Sequence, residues 1–168
     1  MRPLLGVLLV VTLGATLGAT GCSEQLRSGG APASPGATPS ASPTFDRGTA
    51  VIDTEEGSVI VNVELAATPA ARAVGLMHRD SLPEDAGMVF VYFEPTRGGF
   101  YMKNTSIPLS IAFFDNDGVI LKILDMEPCT ADPCETYDPG VAYSGALEVN
   151  QGAFDTWGVE EGDVIHVS

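Results

Sequence analysis

Hydrophobic and polar positions alternate with a two-residue period along much of the chain after Phe45. In AVIDTEEGSVIVNVELA, residues 50–66, two apolar runs flank Glu55-Glu56-Gly57, the pattern of a β-hairpin. Val59, Val61, Val63 and Leu65 alternate with Ser58, Asn62 and Glu64, which predicts a strand with one buried face. Thr68-Pro69 predicts a helix start, with Thr68 as N-cap and Pro69 at the first helical position. That helix is expected to run to about His78. GMVFVYF, residues 87–93, is apolar on both faces and suits a central strand. SIAFFDNDGVILKIL, residues 110–124, reads as a hairpin turning at Asn116-Asp117-Gly118. GALEV, residues 145–149, predicts another strand. Asn150 is then expected to cap a short helix holding Phe154 and Trp157 and ending at Gly158, and GDVIHV supplies the last strand.

Seven or eight strands and two short helices predict an α+β domain, mainly antiparallel β. A barrel or half-open barrel is the expected architecture, because closure removes exposed strand edges. A two-layer β-sandwich is the alternative.

The chain ahead of this domain has a different composition. Arg2 precedes an apolar stretch, Leu4–Leu17, that is short for a membrane span and is interrupted by Gly6 and Gly14. Ala19-Thr20-Gly21 then leads into Cys22. The pattern resembles a bacterial lipobox, so residues 1–21 are expected to be a lipoprotein signal peptide and Cys22 the lipidated anchor. An ordinary secretory signal cut nearby is the alternative. Residues 28–44 contain only Gly, Ala, Pro, Ser and Thr, and cannot build an apolar face. Residues 22–44 are therefore expected to be anchor and disordered tether, and 45–168 a single domain. The expected location is the cell envelope, extracytoplasmic and held to the membrane by lipid.

Charge narrows the partners. Twenty-two acidic residues against eight basic ones give a formal net charge of −14. Such a field disfavours phosphate-rich partners, so no nucleic-acid binding is expected. Setting Cys22 aside leaves Cys129 and Cys134 in PCTADPCETY, most simply a disulfide in an oxidising compartment. Free or redox-active thiols and a metal site are the alternatives. The only histidines, His78 and His166, lack ligand spacing to the cysteines, so no metal site is expected.

Candidate chemistry centres on FYMKNTSIPLSIAFF, residues 100–114, where a polar corner joins two apolar runs. Pro108 belongs at a strand start or edge. Asn104 and Thr105 either fix the corner by bonding to nearby backbone or present polar atoms to a small ligand or glycan, with Tyr101 and Met102 as apolar wall. If Glu148 faces inward its carboxylate needs a partner, which Arg79 or Lys103 could supply, and Arg79 and Glu148 join Tyr101, Met102, Asn104 and Thr105 as the candidate ligand-binding residues. His78 is expected at an exposed helix end and His166 on an outer strand face. Nucleophile elbow, phosphate loop and metal spacing are absent, so no catalytic residue and no cofactor is assigned.

GLMHRDSL (75–82), GMVFVY (87–92), GFYMKNTSIPLSIAFF (99–114), ALEVNQG (146–152) and EEGDVI (160–165) together resemble domain-of-unknown-function family 192, small bacterial and archaeal proteins that are often exported. Met102, Asn104, Thr105, Ile107, Pro108 and Leu109 match its central block. The resemblance implies a compact β-rich domain and no established activity. Tyr101 stands where the family usually has tryptophan, and Ser110 where it usually has aspartate. Any acid–base role of that aspartate in relatives is missing here. The expected function is a non-catalytic ligand-binding or accessory module. An envelope hydrolase or other enzyme using Glu148, or an Asp, with His78 is one alternative, and a structural partner of an envelope protein another.

Overall fold

The computed structural model describes residues 43–129 and 131–168. The expected signal peptide, the expected lipid anchor Cys22 and nearly all of the expected tether lie outside the described residues. Among the described residues nine strands and two helices follow in chain order: β1 (Asp46–Thr54), β2 (Gly57–Ala66), α1 (Pro69–Val74), β3 (Ala86–Thr96), β4 (Phe100–Tyr101), β5 (Leu109–Phe114), β6 (Ile120–Met126), β7 (Thr136–Tyr137), β8 (Tyr143–Asn150), α2 (Ala153–Trp157) and β9 (Val164–Val167). Seven strands form one sheet in the order β6-β5-β8-β3-β2-β1-β9, and β4 pairs with β7 in a small second sheet.

The large sheet is antiparallel at every pair except β2–β3. That parallel pair is joined through α1, the crossover that parallel strands require. The sheet is not closed into a barrel. Its two outer strands meet only beside the β5–β6 turn, through the Val119–Val164 bridge and bonds such as Ile165 N to Gly118 O at 2.8 Å and Ile120 N to Asp163 O at 2.8 Å. Gly118 permits this approach. Its φ of 85° suits the turn, and a Cβ there would lie 2.3 Å from the Ile165 oxygen.

Two apolar cores form on the two faces of the sheet. One gathers Ile52, Val61, Val89, Leu147, Val149 and Phe154, the last from α2. The other gathers Met88, Phe90, Leu109, Ile111, Phe113 and Met102 beneath α1 and the segment before β5. All six residues of β5 are buried, and so is β8 from Tyr143 to Val149. Covering on both faces explains why these strands read as continuous apolar runs. β3 is central as expected, but only from Gly87 to Phe90 is it fully buried, and Phe93 near its end is 86% exposed.

The local signals differ from expectation in two places. Thr68 caps α1, its Oγ1 accepting from Ala71 N at 3.1 Å. The helix stops at Val74, short of His78, because Gly75 takes a φ of 49°. Asn150 does not cap α2. Gly152 holds the N-cap position, and Asn150 Nδ2 donates instead to the carbonyls of Leu82 and Pro83, each at 3.0 Å.

Close packing at the β5–β8 pair makes a direct prediction. A Cβ at Gly145 would sit 2.2 Å from the Phe114 ring, which is itself buried. Gly145→Ala is expected to lower stability by about 1–3 kcal/mol, read as a lower urea midpoint with an unchanged m-value. An unchanged midpoint would contradict this packing.

Candidate functional site

Alternation along β8 sends Leu147 and Val149 into the core beneath α2, and Ala146 and Glu148 to the opposite face. The register puts Met88 of β3 and Ile111 of β5 on either side of Glu148. The Glu148 side chain thus lies among apolar neighbours, the residue 5% exposed, with no hydrogen bond or ion pair to the described residues, and its carboxyl oxygens open on the adjoining cavity. Burial pushes its pKa up to about 8.

The ion pair expected for Glu148 is not formed. Arg79 pairs with Glu64, which lies two strands away on the same cross-sheet row, beyond Met88. Lys103 pairs with Asp132 at 2.8 Å, on the outer side of the polar corner. Both cations are thus already paired with other acids.

Glu148 borders a cavity of about 240 Å³. One side is α1 and the turn after it, from Arg72 to Met77. The other is the segment from Gly99 to Thr105, and Phe90, Tyr92 and Leu109 belong to the sheet below. Four residues named from the sequence meet here: Tyr101, Met102, Thr105 and Glu148. Asn104 and Arg79 do not line it. Arg79 faces a separate groove with Glu64. Asn104 is exposed, with a φ of 57°, and its carbonyl accepts from His78 N at 2.8 Å. Its contribution is to shape the corner, as an asparagine in the left-handed region does readily. Ser106 Oγ donates to Arg79 O at 3.1 Å, so two links stitch the polar corner to the turn after α1. Larger surface grooves exist, such as one of about 520 Å³ beside Trp157. None of those described holds a buried polar side chain without a partner.

Sequence reasoning missed Arg72, Tyr92 and Phe100. Arg72 Nη1 donates to the carbonyls of Ala67 at 2.8 Å and Val91 at 2.9 Å, and its guanidinium lies 4.7 Å from the Tyr92 ring centre. Burial raises the pKa of Tyr92 and, more strongly, that of Tyr143, whose hydroxyl donates to Gly98 O at 3.1 Å. The alternation Met88, Phe90, Tyr92 carried the signal for Tyr92, since all three share a strand face. Nothing local marked Arg72, whose role depends on where α1 docks.

Behind Tyr101 and Met102 stands a short buttress. Cys129 and Cys134 are disulfide-bonded, with Cα atoms 5.7 Å apart. Lys103 bridges to Cys129 through backbone, Phe100 and Tyr101 pair with Tyr137 and Thr136, and Tyr137 Oη accepts from Glu127 N at 3.0 Å. His78 is exposed, and His166, also exposed, lies 3.3 Å from Asp53 on the far side of the sheet order.

The family model of domain-of-unknown-function family 192 (DUF192), described as an uncharacterised ACR, matches residues 51–167. The chain belongs to this family. Two solved structures share the DUF192 domain's architecture. A Sinorhizobium meliloti 1021 protein, provisionally described as a transcription regulator, is 30% identical with a TM-score of 0.68, covering 74% of this chain and 95% of its own. A protein of unknown function from Novosphingobium aromaticivorans DSM 12444 is 28% identical with a TM-score of 0.67, covering 80% and 94%. No curated protein matches the chain. Of the two departures from the DUF192 pattern, Tyr101 lies on the cavity and Ser110 does not. Ser110 pairs with Val149 and so faces the other core, where its Oγ donates to Asp125 and accepts from Gly152 N at 2.9 Å.

The buried carboxyl has a signature in solution. Burial holds its pKa at about 8 in the folded chain, above the 4.5 of a solvent-exposed glutamate. Between these values the folded state holds the extra proton, so this group's contribution to stability is full at low pH and is lost as pH rises toward 8. Glu148→Gln lacks this titration. Its stability relative to the wild type is expected to climb from pH 5 to pH 8, by at most about 1.4 kcal/mol per pH unit, and then to level off. Paired urea titrations across that range measure the difference, and a difference independent of pH would contradict the burial of an unpaired carboxyl.

Proposed function

We propose that this DUF192 domain is a small-molecule-binding module that catalyses no reaction of its own and is displayed extracytoplasmically on a lipid anchor. The observation that carries the binding reading is Glu148, a buried carboxyl without a partner at the edge of a cavity. Its carboxyl oxygens are not sealed from solvent but open on that cavity, with no partner among the described residues. A ligand seated in the cavity would supply the missing bond. Tyr101, Met102 and Phe100 offer apolar contact, and Thr105, 5% exposed, offers a hydroxyl whose own bond, to Lys103 O, is long at 3.4 Å. Apolar walls with a few convergent polar groups are the usual make-up of a ligand site.

Binding accounts for this arrangement more simply than catalysis. The residues around the cavity include one carboxyl and no imidazole, and His78, proposed as its catalytic partner in the enzyme alternative, is exposed outside the lining. The location rests on residues 1–22 and on the Cys129–Cys134 bond, which suits an oxidising compartment.

Two experiments test these halves separately. Amide NMR spectra of the full chain, recorded against a panel of small amines, acids, alcohols and sugars, are expected to shift at Tyr101, Met102 and Thr105 with at least one member. Glu148→Leu, which replaces the carboxyl by an apolar group, is expected to weaken that binding at least tenfold while the remaining spectrum stays dispersed. A panel that moves none of these amides would overturn the binding reading. For the anchor, Cys22→Ser is expected to shift the protein from the membrane pellet to the soluble fraction, and an unchanged distribution would refute it.

A further inference from the structure

Resting on the binding reading, we infer that the Glu148 cavity takes a small organic cation, a primary ammonium or amidinium on a short apolar body. Four features favour this class over a neutral or anionic one. The buried polar side chain of the sheet that faces the cavity without a partner is an acid. The walls beside it are aromatic, with Phe90 and Phe100 packed edge-to-face at 4.8 Å and Tyr92 and Tyr101 also lining the space. Aromatic faces attract a desolvated cation. The only cation among the lining residues, Arg72, is already bound to two backbone carbonyls and stacked over Tyr92, so it does not neutralise Glu148. Finally, a formal charge of −14 draws cations toward the surface and repels anions.

The groups that face Glu148 set how binding responds to pH. Arg72 comes from α1, Tyr92 from β3 and Tyr101 from β4, while Tyr143 lies on its own strand. The Glu64–Arg79 pair lies beyond Met88 on the same row, and β5 brings only Leu109 and Ile111. None of these supplies a free counter-charge to the carboxylate. A bound ammonium would supply it, so binding should draw the carboxyl into its ionised form. Below the pKa of about 8, each ligand bound would release close to one proton, and affinity would rise by about tenfold per pH unit. Above it, affinity would level off.

The test compares n-butylammonium, n-butanol and butyrate, three probes of similar size that differ in charge. Calorimetric titration of the full chain, in two buffers of different ionisation enthalpy, gives affinity and proton count together. The expected result is that n-butylammonium binds at least tenfold more tightly than either other probe, releases a proton at pH 7, and tightens from pH 6.5 to 8. Glu148→Gln should remove both the preference and the pH dependence while still unfolding cooperatively. Binding of n-butanol or butyrate as tightly as the ammonium, or an ammonium affinity unaffected by pH, would overturn the cation assignment and leave the cavity as a binding site for another class. Failure of all three probes would also overturn the assignment, and the NMR panel decides independently whether the cavity binds anything.

Discussion

The pairing of β8 with β3 on one side and β5 on the other is the constraint on which the rest of the domain depends. It places three apolar strands at the middle of the sheet, covered on both faces, and so divides the interior into two cores. One core is closed by α2 and the return of β9 toward β6. The other is closed by α1 and the irregular segment between β3 and β5. The same register decides which side chain of β8 meets which core. A slip of one residue would exchange Glu148 with its apolar neighbours. The carboxyl would then enter the core beneath α2, where Leu147 and Val149 now pack. Gly145 reinforces the register by contact, since its lack of a side chain admits the Phe114 ring.

Against this frame the cavity is a local incompleteness in the second core. α1 is six residues long and ends at Gly75, so it covers only part of the sheet face beneath it. The chain from Gly99 to Thr105 covers another part. Its path is fixed by three separate restraints: the β4–β7 pairing, the Lys103–Cys129 bridge with its neighbouring disulfide, and the Asn104–His78 backbone bond. His78 and Asn104 both take positive φ, at 62° and 57°. One hydrogen bond joins these two residues and so ties the turn after α1 to the polar corner. The space that remains ends at Glu148.

Strands were legible in the sequence wherever one two-residue period or one turn signal dominated. The Glu55-Glu56 hairpin, the Asn116-Asp117-Gly118 turn and the Thr68 cap all lie within a few residues of the groups that determine them. α1 was read too long because MHRD continues a helix-compatible pattern, whereas Gly75 adopts a conformation that ends it. Asn150 was read as a cap because a cap is a local use of its amide, but the amide reaches Leu82 and Pro83, distant in sequence. The site shows the same division. Tyr101, Met102 and Thr105 could be named because they flank a visible corner. The partners offered for Glu148 were wrong because ion pairing depends on which acid reaches Arg79 and Lys103 first, and this follows from strand order. The parallel β2–β3 pair, which brings Glu64 to Arg79, has no signature in either strand alone.

The two scales of electrostatics act in the same direction at the cavity but respond differently to salt. The acidic surface raises the local concentration of cations over distances comparable to the screening length, about 10 Å at 0.1 M salt, and loses most of that influence at higher ionic strength. Glu148 lies between Met88 and Ile111 and beside an aromatic wall, so a charge bound next to it would interact with it largely through apolar protein. On the proposed cation reading, discrimination among ligands would rest on one carboxyl and its apolar surroundings, and not on the 22 acids of the sequence as a whole. A glutamate here is also suited to both states of the site. Protonated, it is tolerated in the empty core without a partner; ionised, it can hold a positive ligand. Leucine would satisfy only the first condition, and a solvent-exposed glutamate, already charged, would make recognition a weak surface contact.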